Sequence, residues 1–528
     1  MDITGKHIIG NNISAQGSSF FQATNPQTGE NLPHKYYEAT AEDVDQAVQK
    51  AEKAFMIFSK TTGEQRAGFL DKIGEEILNL GDDLIKICMQ ETALPEARLQ
   101  GERMRTVNQL KLFAQVIREG SWVGARIDTA IPDRQPLPKP DLRQMKIALG
   151  PVGVFGASNF PLAFSVAGGD TASAFAAGCT VVVKAHQAHP GTSEMVGNAI
   201  IKAAKATDMP EGVFSLIQGA KVDAGMALVN HPLVKAIGFT GSLNGGRALF
   251  NAASKRPEPI PVYAEMGSFN PVFILPGALK ERGEKIAQGL AGSVTLGVGQ
   301  FCTNPGVVVA LESEETESFI QKTGEAIKGV APGFMLSDRI KSGYDQGVQT
   351  QSATPGVEVV AQASSNGSKF SGAAALMKTS ASVFLQNPEL SEEVFGPSTL
   401  SVLADNKQEL LDLAERLQGH LTATIHASDN ELEEYKDLIQ ILERKVGRII
   451  YNGFPTGVEV SHAMIHGGPY PATTDSKTTS VGTAAIERFC RPVCFQDFPQ
   501  GALPEALRNQ NSLGIWRMVN GNLIKENV

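Results

Sequence analysis

The chain has 528 residues, of which 42% are apolar and 20% charged, with a formal net charge of −9. That length exceeds what one hydrophobic core serves, so two or three domains are expected, and the balance of residue types is that of a globular protein. No lysine or arginine run offers a footprint for nucleic acid; five irregularly spaced cysteines, Cys88, Cys179, Cys302, Cys490 and Cys494, suit neither a disulfide framework nor a zinc module, so a reducing compartment and no metal are expected.

The opening MDITGKHIIGNNIS has no apolar core behind a basic start, so nothing directs export and the cytoplasm is the expected location. Thr40 with Asp43 resembles a helix N-cap, and Val44, Ala47, Val48, Ala51, Ala54 and Phe55 recur at helical spacing. A second amphipathic stretch surrounds Phe69, Leu70, Ile73 and Ile77, and a third runs to about Glu119. Residues 126 to 145, rich in proline and charge, read as an extended hairpin or linker. The uncharged run Ile147–Gly169 is long enough to span a bilayer, but its prolines, glycines and asparagine favour a buried strand, a tight turn and a helix opened by Pro161. No membrane span is expected.

From Lys146 the pattern becomes short β-branched runs alternating with alanine-rich helical stretches: VGVFGAS, CTVVVKA, VFSLIQG, VKAIGFTG and VYAEMG. This α/β rhythm is that of βαβ units in a parallel sheet, which binds nucleotides at the carboxyl ends of its strands. A second alternating region begins near Pro271, with PVFILPGA, VVVALES and SVFLQNP as strand candidates, and Phe454 to Thr479 reads as loop.

Taken singly, the polar positions are ambiguous. Neither a GxGxxG turn nor a Walker loop is present. GFTGSLNGG is either an ordinary strand-to-helix turn or a helix N-terminus that holds phosphate. Cys302, in GVGQFCTNPG, is either a small buried hydrophobe or a nucleophile.

In order along the chain, GASNFPLAF around Asn159, VVVKAHQAHP around Lys184, GFTGS at Gly241 and Ser242, VYAEMGSFNP around Glu265, GQFCT at Cys302 and EEVFGP around Glu393 and Phe395 resemble the aldehyde dehydrogenase superfamily. The resemblance implies a Rossmann-type nucleotide domain (residues 1–125 and 146–262), an α/β catalytic domain (263–470) and a small bridging sheet (126–145 and 485–500) that reaches a neighbouring subunit in a homodimer or a dimer of dimers. The tail 501–528 lies outside the common pattern. It further implies that Cys302 attacks an aldehyde carbon, that Asn159 and the Cys302 backbone N–H hold the developing oxyanion, and that Glu265 activates water against the thioester. Ser268 stands where the family usually has the second of two glycines.

Lys184, Gln187, Gly241, Ser242, Glu393 and Phe395 match the cofactor-binding positions. Gln187 replaces a carboxylate that NAD-preferring relatives place on the ribose 2′-hydroxyl, which implies that NADP is accepted and preferred, with NAD as the alternative; Lys184, His186 and Lys221 are phosphate partners. The stretches NGFPTGVEVSHAMIHGGPYPATTDSKTTSVGT and ERFCRPVCFQDFP resemble a subgroup containing enzymes for 2,5-dioxovalerate and for long-chain fatty aldehydes. The first is the expected substrate and the second the alternative. By resemblance the substrate tunnel lies beside Phe160, Phe301, Phe454, His462 and Tyr470, with Arg105 and Phe113 on another wall, Arg105 being suited to a substrate carboxylate. His462 and His466 are each either proton carriers or satisfied structural histidines. Retention of Glu265 argues against a coenzyme A-acylating enzyme, and the full set of polar residues against a non-catalytic homologue.

Overall fold

The computed structural model describes residues 3–528. After short N-terminal strands come four helices: α1 (Ala41–Phe58), α2 (Gly63–Asn79), α3 (Gly81–Thr92) and α4 (Glu96–Glu119). The Thr40 hydroxyl accepts from the Asp43 N–H while the Asp43 carboxylate accepts from the Thr40 N–H, a capping box that fixes where α1 begins. The buried stripe of α1 ends on Phe58, with Phe55 only half-buried.

Five parallel strands follow: β1 (Val152–Phe155), β2 (Val181–Lys184), β3 (Phe214–Ile217), β4 (Ala236–Thr240) and β5 (Val262–Glu265). Their order is β5-β4-β1-β2-β3, extended antiparallel beyond β3 by the hairpin of His7–Ile9 and Asn12–Ser14. The connecting helices are α5 (Gly169–Ala177), α6 (Pro190–Ala206), α7 (Val222–Asn230) and α8 (Leu243–Ser254). Because the order reverses between β1 and β4, their carboxyl ends frame the crevice where such a sheet takes its ligand.

The helix expected to open at Pro161 starts instead at Gly169. The buried carboxylate of Glu102, on α4, accepts the N–H groups of Leu162 (2.8 Å) and Ala163 (3.0 Å), so residues 160–168 turn irregularly against α4.

A second sheet contains β6 (Val272–Ile274), β7 (Val307–Leu311), β8 (Ala375–Ser380), β9 (Ser398–Ala404), β10 (His420–His426) and β11 (Val446–Tyr451). All six are parallel, in the order β8-β9-β7-β6-β10-β11, with Glu358–Gln362 antiparallel outside β8. SVFLQNP is not a strand: Ser380 caps a short helix, Ala381–Gln386, that directly follows β8. The side-chain cap on Val383 N–H overrides the β-branched composition.

A third sheet pairs Cys490–Gln496, Leu142–Ala148 and Arg126–Asp128 antiparallel, and the tail extends it: Arg517–Val519 lies parallel to Arg126–Asp128 and turns back as Asn522–Ile524. The hairpin segment therefore carries some core of its own, since Ile127 is buried with Leu503, Leu507 and Ile515. Among the described residues no helix is long and apolar enough to cross a membrane.

Candidate active site

Each motif residue sits where a strand ends or a turn is forced. Asn159 follows β1, is buried, and is held from both sides: Arg98 Nη2 donates to its carbonyl at 2.6 Å, and its own Nδ2 donates to the Gln300 carbonyl at 2.9 Å. The stretch before Cys302 bends through three consecutive left-handed residues, Gly297, Val298 and Gly299 (φ 56°, 60° and 63°). For β-branched Val298 this is a strained conformation of the kind that clusters at functional sites. Gly299 is required by contact as well as by φ, since a Cβ there would lie 2.3 Å from the Gly396 backbone. This close approach sets the Cys302 loop against the segment carrying Glu393 and Phe395. Asn270 Nδ2 donates to the Cys302 carbonyl at 2.8 Å, while the Cys302 N–H donates to no group among the described residues.

Glu265 ends β5 and is 2% exposed. Its Oε1 lies 2.9 Å from His466 Nε2, and its Oε2 accepts from the Ser480 hydroxyl at 2.6 Å. The same Nε2 lies 3.4 Å from Cys302 Sγ, so the imidazole stands between thiol and carboxylate. Burial alone would raise the Glu265 carboxyl, but His466, Ser480 and Cys302 together hold it below its ordinary value. Burial, followed by the Glu265 charge, pushes the Cys302 thiol well up. At rest the sulfur keeps its proton beside a carboxylate and an imidazole placed to take it. Ser268 fits this frame without strain: it keeps a negative φ, and its buried hydroxyl donates to Asn270 Oδ1 (2.7 Å) and accepts from Leu421 N–H (2.9 Å).

On the sheet's carboxyl edge, burial pulls the half-exposed Lys184 ammonium down to about 8, against the opposing pull of Glu38. Ser242 caps α8 through Gly245 N–H (3.3 Å), leaving the exposed first-turn amides of Leu243 and Asn244 pointing off a helix N-terminus. The Gly241 N–H is not one of them, because it donates to the Glu265 carbonyl at 3.0 Å. A Cβ on Gly241 would strike the Phe239 ring at 2.6 Å. This cradle fits a dinucleotide's pyrophosphate. Glu38, whose charge acts on Lys184, lines a separate cavity of about 190 Å³ with Thr40 and Lys221, and its Oε2 accepts from the N–H groups of Ala220 (3.0 Å) and Lys221 (3.4 Å). Gln187 is half-buried and Glu393 is exposed.

The expected tunnel residues divide. Phe160 and Phe301 meet edge to face at 5.3 Å, with the Arg98 guanidinium over both rings. Arg105 lies over Phe164 at 5.0 Å, within range of the Glu102 and Glu265 carboxylates and of the Cys302 sulfur, and its buried Nη1 has no partner. Phe113 is instead a core residue packed with Phe69 and Leu110. Phe454 is half-buried, packing on His426 (4.9 Å) and over Gly289 against the second sheet's core. His462 and Tyr470 are exposed, Tyr470 under Arg247. Of the two histidines it is His466, not His462, that reaches the thiol. His466 and Ser480 come from the irregular loop after β11, more than 200 positions from Glu265, so no local pattern could mark them.

The aldehyde dehydrogenase family model matches residues 13–491. The chain belongs to the aldehyde dehydrogenase family. This NAD(P)-dependent aldehyde dehydrogenase is 48% identical to an alpha-ketoglutaric semialdehyde dehydrogenase of Acinetobacter baylyi over 98% of both chains. It is 49% identical to alpha-ketoglutaric semialdehyde dehydrogenase 2 of Azospirillum brasilense over 99% of both. A solved gamma-glutamyl-gamma-aminobutyraldehyde dehydrogenase of Burkholderia cenocepacia superposes with a TM-score of 0.80 at 20% identity, covering 94% of this chain and 97% of that one, which is a likeness of fold.

Proposed function

We propose that this aldehyde dehydrogenase oxidises 2,5-dioxovalerate to 2-oxoglutarate, with Cys302 as nucleophile, Glu265 as the base for hydrolysis, and Asn159 with the Cys302 N–H as oxyanion donors. The near-half identity, over almost the whole chain, to two proteins named for this semialdehyde carries the reading and favours it over a fatty aldehyde. A charged substrate also suits the wall of the site. The buried, unpartnered Nη1 of Arg105 is the donor a substrate carboxylate would complete, and an apolar chain would leave it orphaned.

The sequence of events follows from the contacts. The thiol proton leaves toward His466 and Glu265, and the thiolate attacks the aldehyde carbon. Asn159 Nδ2 and the Cys302 N–H stabilise the oxygen on which charge collects, each such donor lowering the barrier by about 3 kcal/mol. A bound nicotinamide cofactor would supply the hydride acceptor for this step. Glu265, steered by Ser480, then takes a proton from the water that cleaves the thioester, which sets this chemistry apart from transfer to coenzyme A.

The residues that would hold the cofactor are the α8 N-terminus for the pyrophosphate, Lys184 for the adenosine ribose, and Glu393 with Phe395 for the nicotinamide end. NADP is preferred over NAD because Gln187 brings no negative charge and Lys221 lines, with Glu38, the cavity on the Lys184 side. Glu38 opposes this preference, since it occupies the Ala220 and Lys221 amides that a 2′-phosphate would use. The first sheet with α1–α4 forms the nucleotide domain and the second sheet the catalytic domain. The third sheet, open along Cys490–Gln496, pairs with a second copy in a homodimer or dimer of dimers. The test is the specificity constant for 2,5-dioxovalerate against a long-chain aldehyde, each with NADP and with NAD. A higher value for the aliphatic substrate overturns the assignment.

A further inference from the structure

Three metal-ligating atoms of different softness converge at the thiol. Cys302 Sγ, His466 Nε2 and a Glu265 carboxylate oxygen all lie within 4.8 Å of one another, with Sγ–Nε2 at 3.4 Å and Nε2–Oε1 at 2.9 Å. Bonds of about 2.3 Å to sulfur and about 2.0–2.2 Å to nitrogen and oxygen, at tetrahedral angles, put such donors about 3.3–3.6 Å apart. To meet that, the sulfur–nitrogen spacing needs to open by about 0.2 Å and the nitrogen–oxygen spacing by about 0.5 Å. We propose that Cys302, His466 and Glu265 bind one zinc-class divalent cation, which blocks the nucleophile and holds the enzyme inactive until it is removed. The proposal rests on reading Cys302 as the nucleophile.

The surroundings support the assignment. Sulfur, imidazole and carboxylate, with a fourth position left open, is a donor set that suits zinc, whereas magnesium and calcium prefer oxygen alone. Ser480 orients the Glu265 carboxylate from its far oxygen, as outer partners of metal ligands do. His466 Nδ1 has no partner, so when a cation binds, the ring proton that Nε2 shares with Glu265 can move to Nδ1 and leave the Nε2 lone pair for the metal. Cys302 is half-exposed, so the cation enters by the route the aldehyde uses. Binding exchanges one cation for the thiol proton, which goes to water. The site therefore tightens as pH rises. Positions 265, 302 and 466 have no motif spacing, so the set exists only in the fold.

The test is zinc binding to metal-stripped enzyme, measured by equilibrium dialysis and by competition with a fluorescent chelator. Wild-type protein, Cys302→Ala and His466→Gln are compared after circular dichroism and sizing have matched their folds. The expected results are one zinc per chain in the wild type, its loss in Cys302→Ala, and affinity at least about tenfold weaker in His466→Gln. Zinc should slow alkylation of Cys302, followed on its peptide by mass spectrometry, more than about tenfold, and magnesium should not. Zinc held equally by both variants, or alkylation unchanged at saturating zinc, overturns the proposal. The two readings separate cleanly: turnover surviving in Cys302→Ala defeats the nucleophile assignment, whereas turnover lost there with no zinc bound by the wild type defeats the metal site alone.

Discussion

Replacing His466 with glutamine removes the imidazole that stands 2.9 Å from Glu265 Oε1 and 3.4 Å from Cys302 Sγ. Glu265 is 2% exposed, so it loses a hydrogen bond to a buried charged group, an interaction of about 1.5–3 kcal/mol. If that loss falls on the barrier, the rate drops about 10- to 100-fold. The pH effect has a definite sign. His466 is the largest influence holding the Glu265 carboxyl down, and burial is what pushes it up, so the variant's carboxyl titrates at higher pH. A base must be deprotonated to work, so the acid limb of the kcat profile moves to higher pH. Steady-state production of reduced cofactor across pH measures this. A stopped-flow trace locates the defect: an initial burst followed by slow turnover puts it in thioester hydrolysis, and a slowed burst puts it in thiol activation. Wild-type rates with an unmoved acid limb would refute the role of the pair.

Arg105→Met should raise KM for 2,5-dioxovalerate by at least about tenfold while leaving KM for an uncharged aldehyde of similar length nearly unchanged, because the charged hydrogen bond is lost to only one of them; equal changes for both would count against Arg105. Glu38→Gln should raise kcat/KM for NADP relative to NAD, since repulsion of the 2′-phosphate falls beside Lys221; an unchanged ratio would remove Glu38 from the cofactor site. Arg488 donates to Asp170 at 2.5 Å and to the Tyr263 carbonyl at 2.6 Å in a buried setting, so Arg488→Met should destabilise the fold by about 3–5 kcal/mol. Chemical denaturation checks this, and a midpoint equal to wild type would contradict it.

Legibility from the sequence followed locality. Asn159, Lys184, Glu265 and Cys302 each occupy a short run whose turn and strand neighbours are adjacent in the chain, so their motifs carry the family pattern and the parallel sheets follow from it. Contacts made over long separations left no such mark. His466 reaches Cys302 from a loop with no periodicity, and Arg98 and Glu102, which fasten the Asn159 turn, look on α4 like ordinary helix charges. The helix start at Gly169 was hidden for the same reason, since the Glu102 carboxylate that satisfies the preceding amides is some 60 positions away. The residues assigned by resemblance to a tunnel are also placed by distant packing: Phe113 is buried with Phe69 and Leu110, Phe454 is half-buried against the second sheet's core, and His462 is exposed after β11.

The most direct test of the central claim is the rate of reduced-cofactor formation from 2,5-dioxovalerate with NADP by the wild-type enzyme and by Cys302→Ala, with a long-chain aldehyde run alongside. The account predicts efficient oxidation of the dicarbonyl acid, a far lower specificity constant for the aliphatic aldehyde, and no turnover in the alanine variant. Turnover that survives the loss of the Cys302 sulfur would contradict it.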